Sequence, residues 1–221
     1  MSTALEIEKS VKQIRKTIPS HVTLLAAAKT RTPEEVEAII QAGVTHIGYN
    51  YVQEALPFIS KIGAKAIWHM IGHLQINKAK ITVENFDIIE TVDSWKLALT
   101  LERHCEKTQK SMPVLIEINS GREENKTGLF PEKVEDLVVQ MSGLKYVQVK
   151  GLMTMGPRFG DPEDSRPYYQ TTYKMFEHLR KLNLPDTTME YLSMGMSNSY
   201  LVAIEEGSNI IRIGTKLFGE R

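Results

Sequence analysis

Lys29 closes the apolar run LLAAAK, and alternation along a strand puts it on one side with Ala27, Leu25 and Thr23. A lysine emerging among small apolar residues is costly to keep charged, and desolvation moves it toward a neutral, nucleophilic amine. Such an amine captures an aldehyde as an imine. By itself the same pattern also describes a lysine just past a strand end with its ammonium in solvent.

Two further runs suit a ligand. RIGT, residues 212–215, closes an apolar strand in which Ile211 and Ile213 face outer helices while Ile210 and Arg212 point inward. Gly214 allows close backbone approach, and Thr215 offers a hydroxyl and an amide, a combination that suits a phosphate. An arginine held against a pyridine nitrogen would keep that nitrogen unprotonated and weaken the ring as an electron sink, so binding without strong catalysis follows. The stretch YLSMGMSNSY supplies Ser193, Ser197, Asn198 and Ser199 around a glycine, a second candidate cradle. Either run occurs without a ligand in other proteins, as a strand end with a structural arginine or an N-cap serine. Two of them on consecutive strand ends match the phosphate position of (β/α) barrels.

Other candidates are weaker. His69 and His73 in WHMIGH are four apart, but on a strand and turn without the glutamate of a zinc helix, so no metal site is expected. Met153, Met155, Met194 and Met196 suit polarisable core filler better than ligand contacts. No Ser/His/Asp order or carboxylate pair stands out for hydrolysis, and no catalytic residue is assigned.

The elements that must position these groups alternate regularly. Candidate strands lie at 22–28, 45–49, 64–71, 86–92, 113–119, 147–154, 189–194 and 209–214, with amphipathic helical stretches between them. Thr32, Pro33 and Glu35 mark one helix start as a capping box, with Gly43 just past its last turn. Strands that read as continuous apolar runs are buried on both faces, which predicts a single α/β domain over 1–221: a (β/α)8 TIM-type barrel with an extra N-terminal helix. A doubly wound open sheet is the competing architecture. The loop at 156–170 is expected to be the longest irregular segment and a mobile lid.

Composition narrows the function classes. Lysine plus arginine and aspartate plus glutamate stand at 27 each, which argues against nucleic acid as a partner but leaves room for a local anion site. Cys105 is the only cysteine and cannot form an internal disulfide. The N-terminal stretch carries charges at every turn and no apolar core segment, so neither a signal peptide nor a membrane anchor is expected, and cytoplasm is the default.

Together, AAAKTRTPEEV, IGYNYVQEA, WHMIGHLQINK, INSGREENKTG, GLMTM, LSMGMSNSY and RIGTKLFGER resemble the pyridoxal phosphate homeostasis proteins, relatives of the alanine racemase N-terminal barrel, over nearly the whole chain. The resemblance implies that pyridoxal 5′-phosphate, the vitamin B6 cofactor, sits as a Schiff base on Lys29. It implies Arg212 against the pyridine nitrogen and Ser197, Gly214 and Thr215 around the phosphate, with Asn50, His73, Asn119 and Met153 nearby. It also implies a homeostatic carrier or buffer without robust catalysis, a monomer or weak homodimer that serves apo-enzymes. The racemases' second domain, with its tyrosine acid/base, is absent from this reading. Two positions depart from the family: Tyr49 where a glutamate is usual, and Ser199 where an aspartate is usual. The Tyr49 phenol is expected to contact the cofactor or to replace the carboxylate's hydrogen bonds.

Two other functions compete. One is a racemase or another Schiff-base enzyme on the same barrel, for which proton exchange on both faces of a substrate carbon would be needed. The other is a regulatory module that signals cofactor binding to a partner protein through loop 156–170.

Overall fold

In a computed structural model, which describes residues 2–157 and 159–220, the eight apolar runs form eight parallel strands closed into a barrel in sequence order. They are β1 (Thr23–Ala27), β2 (His46–Tyr49), β3 (Ile67–Met70), β4 (Ile88–Val92), β5 (Met112–Ile118), β6 (Val147–Thr154), β7 (Thr187–Ser193) and β8 (Ile210–Ile213). Pairing of β1 with β8, Leu25 opposite Arg212, closes the ring and rules out the open sheet.

The helices lie outside: α1 (Ala4–Arg15), α2 (Pro33–Gln41), α3 (Val52–Ile62), α4 (Ala79–Asn85), α5 (Trp95–Thr108), α6 (Pro131–Met141), α7 (Arg166–Leu182), α8 (Tyr200–Glu205) and α9 (Thr215–Phe218). The capping box on α2 is present, with Thr32 accepting from the Glu35 amide and Glu35 from the Thr32 amide. That satisfies two amides the first turn leaves without intrahelical partners. The N-terminal helix α1 buries Ile7, Val11 and Ile14 against the outside of the barrel, while Leu5 is exposed.

The main core fills the layer between strands and helices, and a smaller cluster of Leu25, Ile71 and Ile210 plugs the barrel itself. Gly48 belongs to that plug: a Cβ there would fall 2.7 Å from Leu25 Cδ2 and 2.8 Å from Ile71 Cδ1. The inward face of β2 is therefore His46 and Gly48, and Tyr49 points the other way.

The irregular segments differ from expectation. Residues 162–165 form a 3-10 turn and α7 starts at Arg166, so among the described residues the irregular part of the expected lid is only 156–157 and 159–161. Among the described residues the longest irregular connection is instead 119–130, pinned by Asn119, whose amide bonds the Glu123 and Lys126 carbonyls. Arg158 of the lid, Arg221 of the last motif and Met1 lie outside the described residues.

Candidate cofactor site

A cavity of about 430 Å³ opens at the C-terminal ends of the strands, where all βα loops of such a barrel meet. Lys29, Asn50, Ser197, Arg212, Gly214 and Thr215 all line it. Six of the nine residues expected at or near the cofactor thus share one cavity.

Lys29 follows β1 and is half-buried above Ala27 and Leu25. The chain beyond it is anchored: the Thr30 amide bonds Glu54, and buried Arg31 donates to the Phe218 and Gly219 carbonyls at 3.3 and 2.8 Å. Arg31 also stacks over the Phe218 ring at 5.1 Å. These contacts tie the exit of β1 to the segment that follows β8, and they fix Lys29 relative to Gly214 and Thr215.

Opposite, Gly195 takes a φ of +92° and turns the chain out of β7 toward Ser197. The Ser197 hydroxyl accepts from the Gly214 and Lys216 amides, both at 3.3 Å, so two backbone donors from the end of β8 converge on one oxygen position. A Cβ on Gly214 would meet only Ala27, at 3.5 and 3.7 Å, so the protein itself has room for one. The missing Cβ leaves that volume to the cavity. Convergent amides beside hydroxyls in a glycine-lined recess form a concavity that accepts an anion.

Arg212 forms the floor. Its side chain is 5% exposed, and it donates from Nη1 to Ser193 Oγ at 2.6 Å and from Nη2 to the Thr154 carbonyl at 2.8 Å. Ser193 in turn donates to Glu90 Oε2 at 2.6 Å. Burial pushes the Glu90 carboxyl up, but hydrogen bonds and charge from His69, Arg212 and Ser193 outweigh it and hold the group below the usual carboxylate range. Glu117, also inward and buried, bonds Thr127 through one oxygen while the other has no partner among the described residues. Desolvation there pushes the carboxyl above its ordinary value.

Three expected residues lie elsewhere. His73 leaves the end of β3 outward, half-exposed, 3.6 Å from Asp93 in a neighbouring cavity at the start of α5. Met153 is fully buried, paired with Glu117 and Ser193 across the sheet. The wall is formed one inward step later, by Met155, with Met196 beside it. Asn119 serves its own loop. Tyr49 is buried between β2 and α3, stacked on Phe58 at 5.4 Å and Trp68 at 6.3 Å, so its phenol does not replace a carboxylate at the cavity. Ser199 faces backward too, bonding Tyr169 at 2.6 Å. Glu90 and His69, central to the floor, went unassigned: FDIIETV shows an acid in an apolar run, and that lone inward charge was the available signal.

The sequence model of the alanine racemase N-terminal domain matches residues 5–221. The pyridoxal phosphate homeostasis protein of Pasteurella multocida is 36% identical over 230 residues, covering 98% of each chain. That of Aquifex aeolicus is 40% identical over 200 residues, covering 90% of this chain and 86% of its own. Among solved structures, PipY of Synechococcus elongatus with pyridoxal phosphate bound matches with a TM-score of 0.88 at 31% identity, over 96% of this chain and all of the other.

Proposed function

The chain belongs to the pyridoxal phosphate homeostasis proteins, on the barrel of the alanine racemase N-terminal domain, and from that premise we propose that it carries pyridoxal 5′-phosphate on Lys29. The observation that carries the proposal is the common cavity of an amine, a buried guanidinium and a cradle of amides and hydroxyls. The residues present fit the group. Lys29 would hold the cofactor through its Nζ, an amine able to condense with an aldehyde. Ser197, Gly214 and Thr215 hold the phosphate, and Asn50 borders the cavity beside Lys29.

When bound, the cofactor supplies an electrophilic aldehyde and a ring able to draw electrons from an attached carbon. Arg212 limits the second property. A guanidinium only donates hydrogen bonds, so set against the ring nitrogen it would meet a lone pair and keep that nitrogen unprotonated. Reversible retention of the cofactor follows, rather than rapid turnover. In this role the protein buffers the vitamin B6 pool of the cytoplasm and passes cofactor to apo-enzymes, as a monomer or weak homodimer.

Reconstitution with excess pyridoxal 5′-phosphate followed by gel filtration tests the proposal. The wild type should emerge yellow and Lys29→Ala colourless at equal folded fraction. A wild type that emerges colourless refutes it.

A further inference from the structure

Beneath the cavity, hydrogen bonds cross the barrel interior from its mouth to its opposite end. Arg212 can only donate, so Ser193 Oγ accepts its Nη1 proton at 2.6 Å and gives its own proton to Glu90 Oε2 at 2.6 Å. Glu90 Oε1 lies 2.7 Å from His69 Nδ1, and His69 Nε2 lies 2.9 Å from His46 Nδ1. His46 opens the strand β2 and borders a groove with Arg15 and Pro19, at the end of the barrel opposite the cavity. Five strands other than β8 thus contribute to what holds one arginine: β6 through the Thr154 carbonyl, β7 through Ser193, β4 through Glu90, β3 through His69 and β2 through His46.

Both arms of the chain donate toward Glu90. A carboxylate only accepts, so Ser193 must point its proton at Glu90, and His69 must carry a proton on Nδ1. One proton then fills the gap between the two imidazoles. Burial and the neighbouring His69 hold His46 down at about 4, so near neutral pH it enters the chain as a neutral ring with one N–H.

We propose that Glu90 is a positioning residue for Arg212, acting through Ser193, and that its carboxylate sets the donor direction of the whole chain as far as His46. The functional consequence rests on the reading of Arg212 as the partner of the cofactor ring; the direction of the chain does not. Glu90→Gln preserves shape and the Ser193 donation but reverses the histidine arm. The Gln amide oxygen accepts from Ser193, its NH2 faces His69 Nδ1, and that nitrogen must become an acceptor. The His69 proton moves to Nε2 and His46 holds its own on Nε2, with no proton gained or lost.

Histidine 15N shifts of the full chain at pH 7.5, with and without pyridoxal 5′-phosphate, read this directly. The wild type should show His69 protonated on Nδ1, and Glu90→Gln should show the same nitrogen unprotonated. Ser193→Ala should keep the wild-type pattern at His69 while raising the Kd for pyridoxal 5′-phosphate about tenfold or more, since a hydrogen bond to a charged group is lost. An unprotonated His69 Nδ1 in the wild type overturns the proposal without any variant, as does a folded Glu90→Gln with His69 unchanged. Wild-type affinity in Ser193→Ala overturns the positioning role. If the wild type takes up no cofactor, the Lys29 reading fails instead, and the nitrogen shifts still decide the chain's direction.

Discussion

His46 gives the barrel interior an acid-base signature. Burial first, and then the nearby His69, lower it from 6.5 to about 4, against the opposing pull of Glu90. As pH falls, the unfolded chain takes up this proton near its ordinary value and the folded chain only near the lowered one. The stability contribution is whole above about 6.5 and is lost between there and about 4. His46→Gln removes that titration. Urea denaturation at pH 7 and pH 4.5 should therefore show a larger loss of stability in the wild type than in the variant; equal losses would contradict the assignment. Lys29, Asn50, Ser197, Arg212, Gly214 and Thr215 were legible because each sits at or just past the end of an apolar strand, where a barrel collects its chemistry. Tyr49 was misplaced although the signal was available: the alternation used for Lys29, applied to HIGY, pairs Tyr49 with Ile47 on the helix side. The inward charge of Glu90 shows in FDIIETV, but its role was not legible, because its partners His69, Ser193 and Arg212 lie on three other strands and no local pattern joins them.

The turn between β7 and α8 presents Ser197 to the cavity, and it is held from behind by Ser199, whose hydroxyl pairs with Tyr169 at 2.6 Å inside the protein. Ser199→Ala leaves the fully buried Tyr169 hydroxyl without its partner and should cost about 1–3 kcal/mol of stability. Adding Tyr169→Phe removes the stranded group and should recover most of that loss, since deleting both partners is nearly neutral. Chemical denaturation of the two single variants and the double variant checks this, and additive losses would contradict the pairing. Helix boundaries were legible where caps mark them, as at Thr32 and Pro33. Register was not. Irregularities interrupt the pairing of β4 with β5, β5 with β6 and β6 with β7, and a bulge shifts which residues share a level around the barrel. Met153 consequently lies one inward step below the cavity wall. His73 follows β3 past the inward Ile71 and turns away to Asp93.

For the whole molecule, the cavity touches the ends of β1, β2, β3 and β8 and the loops after β6 and β7, so a ligand seated there bridges segments far apart in sequence. Anything that binds only the folded barrel stabilises all of it by mass action. At free pyridoxal 5′-phosphate roughly 100 times its Kd, the thermal midpoint should rise by about 5–10 °C for a chain of this size. Lys29→Ala should abolish most of that rise, and a rise of equal size in the variant would show that the covalent link is not what holds the cofactor. The barrel was legible from eight apolar runs separated by amphipathic stretches, because strands buried on both faces leave no polar alternation. Its polar interior was not, since a packed barrel is ordinarily filled by branched apolar side chains. The most direct test of the account is reduction of the cofactor-loaded protein with borohydride, followed by peptide mapping. A single pyridoxyl group on the peptide that contains Lys29 is the predicted result; a group confined to any other lysine, or none at all, would contradict it.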